Sequence, residues 1–236
     1  MHLKKLTYLA IAAVLGLAAG MVSNLWGAPP EERFDHKVRE DFFAGFLGNQ
    51  EALARGMKAT EETLAANPKH AEAMVWHGGG LFFQGGMAFQ AGDRNKGMDL
   101  ATKGLQMMDE AVKLDPDNVG VRIPRGASVM GAARGMSESP FSRSLLERGK
   151  ADFERTLEIQ KAYFDQIGTH PRGELLFGLA DTYSRLGETD KAQQFFERLT
   201  KDLPGTAYEK RARTWLETRS PLPVAQTGCV GCHVAK

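Results

Sequence analysis

Hydrophobic and charged positions divide the chain into three unequal parts. After His2-Leu3-Lys4-Lys5, seventeen residues from Leu6 to Val22 carry no charge. From Phe34 to Thr218 the apolar residues recur at three- and four-residue spacing, the period of an amphipathic helix. No run of strict alternation suggests a strand. Beyond Thr218 comes Ser220-Pro221-Leu222-Pro223, where two prolines at alternate positions favour a stiff, extended segment rising about 3 Å per residue. The pattern predicts an all-α body over 34–218, an export or anchor segment within 1–28, and a linker with a tail over 219–236.

The most regular unit of the body runs from Gly173 to Thr206. Leu179-Ala180, Tyr183, Leu186-Gly187, Ala192, Phe196 and Pro204 fall at the offsets of a helix–turn–helix repeat about 34 residues long. Ala180 and Ala192 let the paired helices approach, while Tyr183 and Phe196 fill the space between them. Gly187 permits the turn and Pro204 ends the unit. In these residues the body resembles tetratricopeptide repeat (TPR) proteins.

The same register places weaker repeats on either side. Residues 37–70 carry Phe43-Ala44, Leu47, Gly56 and Asn67-Pro68. Residues 71–118 end in Ala111-Val112-Lys113-Leu114-Asp115-Pro116-Asp117-Asn118 and are 14 residues longer than the standard repeat. Both helices there are expected to be long, with the turn at Gly92-Asp93. Residues 119–172 are expected to loop at Ser137–Ser142, with Ser144-Leu145-Leu146-Glu147 as a capping box opening the second helix. A last helix over Ala207–Thr218 would cover the open end of the array. The expectation is a TPR-like α-solenoid of about four repeats and a capping helix, with extended middle hairpins. The resemblance implies a protein partner held in a groove lined by the first helix of each repeat.

Glycine is unusually frequent for such a body. Gly78-Gly79-Gly80, Gly85-Gly86, Gly126, Gly131 and Gly135 fall inside the long helices, where each costs about 1 kcal/mol relative to Ala. Close packing of neighbouring helix backbones is the first explanation. A flat floor for a ligand or a haem face is the second.

The tail carries the candidate chemistry. Cys229-Val230-Gly231-Cys232-His233 contains the only two cysteines of the chain. Three-residue spacing sets both sulfurs on one side, with the histidine next in line. A redox dithiol would come with a thioredoxin-like βαβ pattern, which is missing, and a zinc site would want a fourth ligand. In these five residues the tail resembles c-type cytochromes. That resemblance implies one covalent haem c, with Cys229 and Cys232 as thioether anchors and His233 as the proximal iron ligand.

Only Val234, Ala235 and Lys236 follow the motif, so a self-contained cytochrome domain is not expected, and a sixth ligand would come from elsewhere. His170, shortly before the last repeat, is the candidate by proximity. His36, His70 and His77 have structural readings first, His77 as a satisfied buried histidine at a core position.

Charge adds a negative result. Thirty Lys and Arg balance 29 Asp and Glu, and no basic stripe or aromatic platform suggests nucleic acid. The segment 6–22 reads as a signal peptide or a membrane tether, and either places the body outside the cytoplasm, in the periplasm or on the inner membrane. The expected function is an exported scaffold passing electrons to a redox partner protein. A non-redox envelope assembly module and a haem sensor or enzyme with an open iron position are the alternatives. No acid–base constellation marks an enzyme.

Overall fold

A computed structural model describes residues 33–224. The leader segment 1–28, together with Cys229, Cys232 and His233, lies outside the described residues. Within them the fold is a TPR-like array of antiparallel helical hairpins. The first hairpin pairs α1 (Phe34–Phe46) with α2 (Gln50–Ala66), and the second pairs α3 (Ala71–Gln90) with α4 (Arg94–Leu114). The third pairs α5 (Val119–Arg134) with α6 (Pro140–Gln160), which runs on into a 3₁₀ turn at Lys161–Gln166. The fourth pairs α7 (Thr169–Leu186) with α8 (Thr189–Asp202), and α9 (Ala207–Thr218) lies against it.

Short polar residues start most of these helices, as the unpaired amides of a first turn require. Asn49 accepts from the Ala52 amide at 3.0 Å, Asp93 from Lys96 at 3.0 Å and Thr206 from Glu209 at 3.2 Å. Gly48 (φ +104°), Gly92 (φ +84°), Gly187 (φ +81°) and Gly205 (φ +77°) take the left-handed conformation at turns between helices. The opening of α6 corrects the sequence reading. Its capping box is Ser139 with Ser142, five residues before the one expected, because Pro140 fits the first helical position where no amide is needed. Ser144 instead sits inside the helix and donates to the Phe141 carbonyl at 2.7 Å.

The apolar stripes meet in two core clusters. One gathers Phe42, Val75, Met108, Val121 and Leu145 from the first three hairpins. The other holds Leu176, Leu179, Phe196 and Trp215, with Trp215 stacked on Phe196 at 4.5 Å. Tyr183 and Phe196, the space-fillers of the repeat pattern, are both buried, and so are Ala180 and Ala192. Buried carboxylates tie successive hairpins. Asp152 of α6 accepts from Arg122 and Arg125 of α5, and Arg125 also reaches Asp109 of α4 at 2.9 Å. Asp181 of α7 accepts from Arg134 of α5 at 2.7 Å and from Arg185 of its own helix at 3.0 Å.

Two populations of helical glycine emerge. In the first, a side chain has no room because a neighbouring backbone is too close. A Cβ on Gly104 would stand 2.5 Å from the Gly78 carbonyl oxygen, and one on Gly85 would stand 2.8 Å from the Ala101 amide. These glycines let α3 and α4 touch along their backbones, which is the packing explanation. In the second, a Cβ on Gly86 or Gly131 would meet nothing within 4 Å. Packing does not explain those.

The two groups should respond oppositely to alanine. Gly86→Ala and Gly131→Ala should each stabilise the fold by up to about 1 kcal/mol through helix propensity. Gly104→Ala and Gly85→Ala should each destabilise it by about 1–3 kcal/mol through overpacking. Urea denaturation followed by circular dichroism measures both signs.

Candidate functional site

The second glycine group opens onto an apolar groove of about 1190 Å³. Its walls come from α1, α3 and α5, the first helices of their hairpins, and also from α4, whose extra length brings Met98, Ala101, Thr102 and Leu105 into it. Phe46 and Leu47 close one end and Phe141 of α6 the other side. Gly79, Gly86, Gly131 and Gly135 lie along it, and at Gly86 and Gly131 the helix backbone is bare. No charged residue lines it, and its polar side chains are Gln90, Thr102 and Ser128.

The groove is also where the fold leaves its apolar surface unburied. Ten large hydrophobic side chains are exposed among the described residues, and six of them line it: Leu47, Met87, Phe89, Met98, Met136 and Phe141. Scattered exposed hydrophobics are ordinary, but a contiguous cluster marks a surface that is covered in use. Its soft donor atoms are the thioether sulfurs of Met87, Met98 and Met136.

The chain is held against the body past its last helix. After α9, Leu222 is buried in the second core cluster, and its carbonyl accepts from Arg185 Nη2 at 2.7 Å. Arg185 is itself held by Asp181, so the exit segment is tied to the same carboxylate that anchors α5 through Arg134. Pro221 and Met136 both line a small recess of about 160 Å³, and Met136 also lines the large groove. The linker is therefore seated against the body as far as Leu222, past the end of the last helix.

The histidines are placed as follows. His70 caps α3, its Nδ1 accepting from the Ala73 amide at 3.2 Å, and its ring lies 4.8 Å from that of Phe34. His36 is half-exposed beside Asp35. His170 stands in the first turn of α7 rather than in a loop, with Nδ1 2.8 Å from the Tyr208 hydroxyl. None of them is among the residues that line the groove. Among the described residues no group of three or more His, Cys, Asp or Glu could hold a metal ion. No described helix is long and apolar enough to cross a membrane.

No family model matches the chain, and no curated protein matches it. Among solved structures it is similar to a thermophilic TPR protein of Thermus thermophilus. The identity is 16%, the TM-score is 0.40, and the match covers 78% of this chain and 98% of that one. The fold assignment stands on this chain's own hairpins and on the repeat residues buried between them.

The groove is not legible from sequence, although its parts are. Glycines at 79, 86, 131 and 135 are visible there, but the packed glycines beside them look the same until the neighbouring helix is in place. Methionines at 87, 98 and 136 carry no signal separating rim from core.

His77 is half-buried on α3, and its Nδ1 lies 2.9 Å from the Thr60 hydroxyl of α2. Burial pushes this imidazole below its ordinary range, against the opposing pull of Glu61. The fold holds it neutral, whereas the unfolded chain protonates it near pH 6.5. Its contribution to stability is fully present above that value and is lost as pH falls towards the depressed folded value. The midpoint of thermal unfolding should therefore fall more steeply between about pH 7 and 5.5 in the wild type than in His77→Leu.

Proposed function

We propose that the chain is an exported, TPR-like scaffold that carries one covalent haem c on Cys229 and Cys232, with His233 as the proximal ligand. It serves electron transfer inside a protein complex that the hairpins help to hold together. The observation that carries this reading is the Cys-x-x-Cys-His run of 229–233, which uses both cysteines of the chain. Two features of the body fit it. The groove floor is bare of Cβ atoms at Gly86 and Gly131, as a flat apolar ring face would need. The exit segment is fastened at Leu222, so the motif follows a fixed point and not a free end.

The roles of the residues follow from ordinary chemistry. Bound haem would supply one-electron transfer at its iron, at a potential set by the axial ligands and by the burial of the ring. Cys229 and Cys232 would hold the porphyrin edge so that it is not lost on reduction or oxidation. Arg185, by bonding the Leu222 carbonyl, limits where the linker can point. The seventeen uncharged residues from Leu6 to Val22 supply the export route, cleaved or retained as a tether. Partner proteins are engaged by the hairpin surface, and they include the electron donor and acceptor.

The test is the full chain expressed with haem-attachment machinery in an exporting host. Its intact mass should carry one porphyrin, and its reduced visible spectrum should show the bands of a thioether-bonded haem. Cys229→Ser with Cys232→Ser should lose both signals while keeping the helical far-ultraviolet spectrum. A colourless wild-type protein whose two thiols alkylate freely after such maturation would leave a plain partner-binding scaffold.

A further inference from the structure

We infer that the groove between α1, α3, α4 and α5 is the seat of the chain's own haem-bearing segment, which folds back from Leu222 to place its ring on the glycine floor. The inference rests on the haem attachment proposed above and adds where the ring lies. Three observations point to it together.

The first is reach. Pro221 lines a small recess together with the groove-lining Met136, three residues before Val224, the last described residue. Cys229 lies five residues beyond Val224, and an extended chain spans at most roughly 3.3–3.6 Å per residue, or about 17 Å in all. The first anchor therefore lies within that reach of the last described residue.

The second is shape. Gly86 on α3 and Gly131 on α5 have open space where a side chain would stand, although an alanine there would favour each helix. Their bareness costs stability and is not offset by helix contact, so it is explained by something that lies on the backbone. A planar ring can lie flat on such a floor.

The third is chemistry. The lining is uncharged and rich in Phe and Met, and its only soft donors are thioether sulfurs. That suits the apolar face of a porphyrin and its iron.

The test uses the full-length haem-loaded protein and the variants Gly86→Leu and Gly131→Leu, alone and combined. Their new side chains meet no protein atom at Cβ, so the fold and the haem mass should be kept. The wild type should show strong circular dichroism in the Soret band, because the ring sits in a chiral pocket. It should also bind added imidazole weakly in the ferric state. The combined variant should lose at least half of the Soret dichroism and bind imidazole at least tenfold more tightly.

Unchanged dichroism and imidazole affinity in a variant that carries its haem would overturn the seating while leaving haem attachment standing. A chain that gains no porphyrin mass sinks both readings at once. Concentration-dependent sedimentation of the wild type, abolished by the same leucines, would assign the groove to a second copy and would also overturn the seating.

Discussion

The long hairpin at the centre of this structure depends on α3 and α4 touching backbone to backbone. Gly78 and Gly104 meet so closely that each one's missing Cβ would collide with the other's carbonyl, and Gly85 meets Gly97 and Ala101 about two turns further on. Side chains at those places would push the helix axes apart by more than any rotamer could absorb. Because the contact is made at both levels, the helices keep their pairing through twenty and twenty-one residues, well past the usual repeat length. That extra length is what carries Met87, Phe89 and Met98 beyond the core, where with α1 and α5 they wall the groove.

Electrostatic ties then fix the hairpins to one another. Asp152 and Asp181 are both buried, and each accepts from two arginines on different turns or helices. A buried carboxylate without such partners would cost several kcal/mol. The arginine forks therefore specify register more than they add stability, and Asp181 specifies two things at once. Through Arg134 it sets α5 against α7, and through Arg185 it sets the linker carbonyl at Leu222. The wall of the groove and the departure of the tail share one buried charge.

Residues that act locally are readable from the sequence, and residues that act through a neighbour are not. Gly187 and Gly92-Asp93 make their turns where spacing puts them, since a left-handed residue between two helical patterns has few other uses. Tyr183, Ala192 and Phe196 pack as the repeat pattern implies, and His77 is a hydrogen-bonded, half-buried histidine. The start of α6 is ambiguous in the sequence because Ser139-Pro140 and Ser144-Leu145 both look like helix openings. Only the fixed backbone of Pro140 at the first helical position decides between them. The division of the glycines is out of the sequence's reach altogether. Gly85 and Gly86 are adjacent in the chain, yet one is sealed against Ala101 and the other faces open space. On a helix, one residue is a rotation of about 100°, so adjacency in the chain says nothing about a shared environment.

Tethering changes what the groove has to achieve. A free ligand must offset the loss of its translational freedom before any contact shows as affinity. A ring joined to the chain five residues beyond Val224, as proposed, would already have lost most of that freedom. Its effective concentration at the groove would be on the order of millimolar for a short linker that spans the distance. Pinning Leu222 through Arg185 would hold the start of that linker in place and raise the concentration further. Weak, purely apolar contacts then suffice, and no charged or strongly coordinating residue is required of the lining. A site built for a captive ligand need not look like one built to capture a ligand from solution, and this groove, with bare glycines, three thioethers and no charge, has that character.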